Sequence, residues 1–268
     1  MQFKEFLKDK ISLFLITWGV FTTLFYLLLL AIAPGEEWAS SATYFPYDGS
    51  IVIATAVLLM VHRFYGMKST EGKVWGIIMV GVFLWMVAEL IWGVDVLLCE
   101  MGHTGMPAIL LDNADYPFLA GYIFLVIGFI YKARHTELKP NMGYTFIINS
   151  LAGAFAIISI YLVTYPTVTS AYYSDSEIFF LNAYVAFDIL LFALALQIAL
   201  YWGKAISKGW YILSIALFSM MVADIGYAAL DIRGIYFDGA LIELAWVFAY
   251  LLMGLAANYQ KKLHESFI

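Results

Sequence analysis

Apolar stretches of about 20 residues recur along almost the whole chain, and a helix that crosses a bilayer needs a stretch of that length. Of the 268 residues, 63% are hydrophobic and only 13% are charged, whereas about 25% are charged in a soluble domain. The apolar runs predict eight helices, near residues 11–33, 50–66, 74–98, 115–131, 142–165, 178–202, 209–231 and 239–259. The sequence therefore predicts an all-α, multi-pass protein of the cell membrane in contact with lipid, and it excludes a soluble monomer.

The distribution of basic residues predicts the orientation of these helices. If the N-terminus is cytoplasmic, Arg233 is the one residue among 14 Lys and Arg that falls in an outer loop. Basic residues concentrate in cytoplasmic loops, so we expect both termini to be cytoplasmic. The predicted outer face is acidic, and several aromatic residues there are typical of a headgroup belt: Trp38, Tyr44, Tyr47, Tyr172 and Tyr173.

The two halves of the chain resemble each other. A shift of 135 positions superposes Trp75 on Trp210, Met86-Val87-Ala88 on Met221-Val222-Ala223, and Glu89 on Asp224. A shift of 128 positions then superposes Asp115 on Glu243 and Tyr122 on Tyr250. Each half holds four predicted spans, so both halves enter the membrane in the same direction, as a parallel repeat. We therefore expect two four-helix repeats, residues 1–137 and 138–268. We also expect the third, fourth, seventh and eighth helices at the central interface and the other four at the periphery.

Four carboxylates lie inside or at the mouth of apolar helices, at a similar predicted depth near the outer face: Glu89, Asp115, Asp224 and Glu243. An ionised acid at a helix centre costs about 2.5–3.5 kcal/mol on insertion scales, so we do not expect these side chains to face lipid. Helical spacing places an aromatic residue on the face of each acid: Trp92, Tyr122, Tyr227 and Tyr250. Asp188, inside the sixth helix, has no carboxylate counterpart in the second helix.

Two interpretations of these acids stay open. In the first, protonated or hydrogen-bonded acids only join the helices. In the second, acids and aromatic residues line an outward-opening cleft for a cation, an amine or a polar small molecule. An anionic ligand is disfavoured because only Arg233 could compensate it. The predicted ligand-binding residues are Glu89, Trp92, Asp115, Tyr122, Asp188, Asp224, Tyr227, Glu243 and Tyr250.

The sequence lacks the residues that several kinds of chemistry require. The predicted spans contain no lysine for a Schiff base and no histidine pair for haem. The chain has one cysteine, Cys99, no nucleotide-binding loop and no basic patch for nucleic acid. We predict no cofactor, and enzyme activity is unsupported because no nucleophile or metal set accompanies the acids. No metal is assigned, although one loose set of outer residues could bind a divalent cation: Glu100, His103, Asp112 and Asp115.

Two motifs carry a resemblance to a known class of protein: Glu89-x-x-Trp92, and the run Ala114-Asp115-Tyr116-Pro117-Phe118-Leu119-Ala120-Gly121-Tyr122. They are similar to motifs in the N-terminal membrane sensory domains of prokaryotic histidine kinases and diguanylate cyclases. A Pro-Ser pair usually precedes the Ala-Asp of those domains, whereas Leu111-Asp112-Asn113 stands here. The resemblance implies a sensory or ligand-binding membrane module. Because nothing after Gln260 resembles an output domain, it also implies that any signal passes to a separate protein. A homo-oligomer is another expected partner.

Two other functions remain as alternatives. A transporter or channel is one, and Asp188 would then supply a mid-membrane step for a cation or a proton. A structural subunit of a larger membrane complex is the other.

Overall fold

A computed structural model describes residues 9–33, 36–101, 113–202 and 208–266. The described residues form helices and no strands, which confirms the all-α class. The eight long helices are α1 Lys10–Ile32, α2 Glu37–Tyr65, α3 Thr70–Glu100, α4 Asp115–Arg134, α5 Met142–Thr169, α6 Asp175–Trp202, α7 Lys208–Asp231 and α8 Glu243–Glu265. Helix α5 contains one π-helical segment, Ile160–Thr164.

Helix α2 begins at Glu37, well before the predicted start at residue 50. Its first turns contain few aliphatic residues, and apolar runs alone therefore do not reveal them. These turns are nevertheless packed inside the protein, since Ser41, Thr43 and Tyr47 are all buried. The prediction that Tyr47 belongs to a headgroup belt is therefore wrong.

In the described part of the chain, seven helices are long and apolar enough to cross a membrane: α1 to α7. The chain is thus a multi-pass membrane protein in its composition and helix lengths. Helix α8 is less apolar, and its buried residues include Glu243, Asn258 and Gln260. These polar side chains lower the hydropathy of α8, and they are buried against other helices.

Six helices form a closed ring in the order α2, α3, α4, α6, α7, α8 and back to α2. In this ring α3 stands opposite α7, and the indoles of Trp75 and Trp210 meet across the centre with ring centroids 5.8 Å apart. Both indoles are fully buried, and Phe129 packs edge-on against Trp210. These aromatic rings close the centre of the ring at one end.

Helices α1 and α5 lie outside the ring. Helix α1 packs on α2 and α8, and α5 packs on α6 and, through its π-helical segment, on α7. The prediction that the second and sixth helices are peripheral is wrong, because both complete the ring. Their inward faces carry tyrosines and Asp188, which hydropathy does not separate from lipid-facing positions.

The two ends of the bundle differ in charge. One end, here the basic end, carries almost all basic residues of the described chain: Lys10, Arg63, Lys68, Lys73, Lys132, Arg134, Lys139, Lys208, Lys261 and Lys262. There the start of α1 meets the end of α8, since Asn258 Nδ2 donates to Asp9 Oδ2 at 2.8 Å and Lys262 Nζ lies 3.2 Å from Asp9 Oδ1. Lys132 pairs with Glu71 at the same end. The opposite end, here the acidic end, holds the predicted site.

Candidate functional site

A cavity of about 400 Å³ occupies the centre of the ring toward the acidic end. This volume lies within the range of about 300–1,000 Å³ that is usual for small-molecule sites. Six acids line it: Glu89, Asp95, Asp115, Asp224, Asp238 and Glu243. Eleven aromatic residues line it as well: Tyr44, Tyr47, Trp85, Trp92, Phe118, Tyr122, Tyr184, Tyr227, Tyr236, Trp246 and Tyr250. No lysine, arginine or histidine of the described ranges is among the lining residues.

The structure brings eight of the nine predicted site residues to this cavity: Glu89, Trp92, Asp115, Tyr122, Asp224, Tyr227, Glu243 and Tyr250. The ninth, Asp188, has 0% of its surface exposed. It lies behind Tyr122, whose hydroxyl is 2.9 Å from Asp188 Oδ1. Asp188 therefore belongs to the same hydrogen-bonded cluster without lining the cavity.

Glu89, on α3, receives two phenolic hydrogen bonds. The hydroxyl of Tyr47 donates to Glu89 Oε1 at 2.8 Å, and the hydroxyl of Tyr250 donates to the same oxygen at 2.5 Å. These donors come from α2 and α8, the two helices that follow one another in the ring. Both tyrosines use Oε1, so neither bonds Oε2.

Asp224, on α7, lines the same cavity. Trp246 Nε1 donates to Asp224 Oδ1 at 2.5 Å, and the hydroxyl of Tyr122 lies 2.8 Å from Asp224 Oδ2. The carboxyl group of Asp188 also lies within hydrogen-bonding reach of the Asp224 carboxyl group. Asp224 thus differs from Glu89 in having a second acid as an immediate neighbour.

Glu243 lies nearer the acidic end and receives three hydrogen bonds. Tyr26 donates to Oε2 at 2.7 Å, Tyr236 donates to Oε1 at 2.9 Å, and the backbone N–H of Gly239 donates to Oε1 at 2.7 Å. Burial and the adjacent Glu243 carboxylate raise the pKa of the Tyr236 hydroxyl, which lies in the loop between α7 and α8. Tyr236 therefore remains a protonated donor.

Asp115, at the start of α4, accepts one hydrogen bond from Tyr184 of α6 at 2.6 Å. Its predicted partner Tyr122 points instead to Asp224 and Asp188. In the same way Tyr250, predicted beside Glu243 on α8, bonds Glu89 on α3. Helical spacing identified these tyrosines as partners of acids, but each one reaches an acid on another helix.

Five side-chain donors were not predicted: Tyr26, Tyr47, Tyr184, Tyr236 and Trp246. The sequence assigns Tyr47 to the headgroup belt, and no acid on the same helix face points to Tyr26 or Tyr236. Helical spacing could have found the other two, because Tyr184 lies four residues before Asp188 and Trp246 lies three residues after Glu243. The internal match offers a further signal, because Trp246 aligns with Phe118 under the shift of 128 positions. Both residues line the cavity.

The charge of the site is uncompensated by basic groups. Neutral hydroxyl and indole donors stabilise a carboxylate without cancelling its charge. The ionised carboxylates around the cavity therefore contribute a negative potential, and the faces of the aromatic rings add to it. Such a lining can hold a positively charged group and repels an anion.

The structure does not test the outer set of residues that could bind a divalent cation, because most of it lies outside the described part of the chain. His103 and Asp112 lie outside the described residues, as does the side chain of Glu100. Among the residues that are described, no group of three or more His, Cys, Asp and Glu side chains is placed to hold a metal ion.

Comparisons with protein-family models, with curated proteins and with solved structures gave no match to this chain. The resemblance to membrane sensory domains stays a prediction.

Proposed function

We propose that this chain is a sensory or ligand-binding module of the cell membrane that binds a small organic cation in the cavity at its acidic end. The observation that carries this proposal is the lining itself, in which six acids and eleven aromatic residues surround about 400 Å³. Aromatic faces attract quaternary ammonium groups, and desolvation increases this attraction to about 2 kcal/mol or more. Carboxylates at the same cavity add the opposite charge.

The proposed membrane architecture has eight spans, with the acidic end outside and both termini cytoplasmic. The concentration of basic residues at the other end supports this orientation. Helix α8 would be the eighth span, since α1, α2 and α7 surround it and shield its polar residues from lipid. A polar helix is tolerated in a bilayer where other helices bury its polar side chains.

The proposed parallel repeat pairs α1–α4 with α5–α8. If the two halves are exchanged, the contact between α2 and α3 corresponds to the contact between α6 and α7. The contact between α4 and α6 likewise corresponds to the contact between α8 and α2. Trp75 meets its equivalent Trp210, and Glu89 faces its equivalent Asp224 across the cavity. Each of these acids also bonds the matched tyrosine of the other half, Tyr250 or Tyr122.

Three buried aromatic residues at the centre of the ring, here the aromatic plug, favour binding of a ligand over its transport through the protein. Trp75, Trp210 and Phe129 are almost fully buried and fill the centre of the ring toward the basic end. Helix α3 carries Trp75 and the cavity acid Glu89, and helix α7 carries Trp210 and the cavity acid Asp224. A change of helix position at the cavity would therefore reach the basic end, where we propose that a separate cytoplasmic protein or a second copy receives the signal.

Choline and its uncharged carbon isostere, 3,3-dimethyl-1-butanol, test the proposed ligand class with purified protein in nanodiscs. We expect choline to raise the thermal unfolding temperature, since a ligand at 100 times its Kd stabilises by about 2.7 kcal/mol. The neutral isostere should have no effect at the same concentration. Glu89→Gln should weaken choline binding about tenfold or more, whereas Glu177→Gln, which changes an exposed acid on α6, should not.

Equal stabilisation by choline and the isostere, or none by either, would contradict the proposal. Proteoliposomes separate the alternatives. The binding module predicts no choline uptake, whereas uptake that is abolished in Asp188→Asn would establish a transporter. Loss of folding in the variants of all four predicted acids, with no ligand effect, would establish a purely structural role.

A further inference from the structure

The hydroxyl of Tyr122 lies between two carboxyl groups. Its oxygen is 2.9 Å from Asp188 Oδ1 and 2.8 Å from Asp224 Oδ2. A phenol has one proton and donates one hydrogen bond at a time. For both contacts to be hydrogen bonds at once, one of the two carboxyl groups must be protonated and donate to the phenolic oxygen.

The second carboxyl oxygen of Asp188 independently indicates that one of the two acids is protonated. Oδ2 of Asp188 is buried, and no donor in the described chain reaches it. A buried carboxylate oxygen without a donor is costly. A proton on Asp188, donated to the neighbouring Asp224 carboxylate, removes that cost. Asp224 is the acid that stays ionised, because Trp246 Nε1 donates to its Oδ1 and stabilises the carboxylate.

The groups around this pair offer no positive charge. Asp188, on α6, interacts with Asp224 of α7 and Tyr122 of α4. Helix α5 also packs on α6, but none of its described residues is a titratable neighbour of Asp188. The groups that face Asp224 are Trp246 and Tyr250 of α8, Glu89 of α3 and Tyr184 of α6. All of these groups are acidic or neutral. A proton is therefore the cation available to offset one charge of the pair while the cavity is empty.

We propose that Asp188 and Asp224 share one proton, and that binding of an organic cation in the cavity releases it. This inference rests on the proposed function, because it concerns the same cavity. The O–H bond of the protonated carboxyl group breaks, the carboxylate keeps the electron pair, and the proton leaves to solvent past the Tyr122 hydroxyl. The cation takes over the charge that the proton had offset, so the net charge of the site is unchanged. Glu89, whose two donors are phenols, takes no part in the exchange.

Calorimetric titration with choline tests this exchange between pH 7 and 8, in phosphate and in HEPES, whose protonation enthalpies differ. Choline carries no titratable ammonium proton, so any proton released comes from the protein. We expect up to one proton released per choline bound. Asp188→Asn should still bind choline and release none, because the amide can donate to Asp224 permanently. The matched control Asp175→Asn, an exposed acid on the same helix, should release as many protons as the unchanged protein.

The outcomes separate the two proposals. Choline binding without proton release in the unchanged protein, or release that persists in Asp188→Asn, overturns the shared proton and leaves the proposed function intact. Absence of choline binding overturns both. If Asp188→Asn does not fold, infrared difference spectra of the unchanged protein decide: the carbonyl band of a protonated carboxyl group should disappear on addition of choline, and a constant band overturns the proposal.

Discussion

The indole of Trp75 stacks on the indole of Trp210, with ring centroids 5.8 Å apart and an angle of 25° between the rings. Trp75 lies on α3 and Trp210 lies on α7, at positions that match when one half of the chain is superposed on the other. In each helix the cavity acid, Glu89 or Asp224, follows 14 residues later, about 21 Å along the helix axis. The plug and the acids are therefore two layers of one arrangement around the centre of the ring.

Replacement of either plug tryptophan should destabilise the protein. Trp75→Ala and Trp210→Ala each leave a cavity at a fully buried position, which costs about 3–5 kcal/mol. The double variant should show a coupling of about 0.5–1.5 kcal/mol, since the two rings stack on each other. Unfolding of the four proteins in detergent measures this coupling. Trp38→Ala, at a position with 51% exposure, is the control. Additive effects of the two plug variants would contradict a stack across the centre.

Close approach of α3 and α4 depends on two glycines. A Cβ atom at Gly121 would overlap the indole of Trp85 and lie 2.7 Å from the carbonyl oxygen of Gly81. Small residues permit such contacts between membrane helices. Gly121→Ala should therefore lower the unfolding temperature and displace Trp85 from the cavity wall. Gly153→Ala on α5 is the matched control, because no atom lies within 4 Å of the added Cβ. Alanine is the better helix former there, so the control should be neutral or stabilising, and equal losses in both variants would refute the packing argument.

The contact between the start of α1 and the end of α8 predicts a dependence of stability on pH. Partial burial acts to raise the pKa of Asp9, but hydrogen bonds from Asn258, Ser12 and Lys262 outweigh it and hold the pKa below the ordinary value of 3.8. A lowered pKa in the folded state contributes stability that is present above the unfolded pKa and is lost as the pH falls through the folded pKa. Asp9 also caps the start of α1, because its Oδ2 accepts from the backbone N–H groups of Ile11 and Ser12 at 3.2 Å. Asp9→Asn keeps a capping side chain but removes this charge. The difference in unfolding temperature between the two proteins should therefore be constant from pH 7 to 5 and shrink below about pH 4. A difference that stays constant to pH 3 would show that the charge of Asp9 contributes nothing.

The rim aromatic residue Trp92 should affect binding more than folding. Its side chain lines the cavity and keeps 41% of its surface exposed, so truncation leaves little buried space. Loss of its cation–π contact is worth about 0.5–2 kcal/mol, which corresponds to about a 2- to 30-fold weaker choline Kd. Titration of Trp92→Ala and Trp92→Phe measures the effect, and the phenylalanine variant should retain part of the affinity. Full affinity in Trp92→Ala would remove this residue from the proposed site.

The helices and the positions of Glu89 and Asp224 along them could be predicted from the sequence because both depend on local patterns. Apolar run length gives the number of long helices, and the distance from basic residues places Glu89 and Asp224 near the acidic end. The pairing of donors with acids could not be predicted in this way. Helical spacing shows which residues share a face, whereas Tyr250 and Tyr122 bond acids on other helices. The buried first turns of α2 escaped prediction for a related reason, since hydropathy does not distinguish a polar residue that faces protein from one that faces water.

Crystals grown with arsenocholine, in which arsenic replaces the choline nitrogen, show whether an organic cation occupies the cavity. Anomalous diffraction locates the arsenic atom without reference to the protein atoms. We expect one arsenic peak inside the cavity, between the carboxyl groups of Glu89 and Asp224, that disappears when excess choline is added. An empty cavity at saturating arsenocholine, or peaks confined to the basic end or the lipid-facing surface, would contradict this expectation.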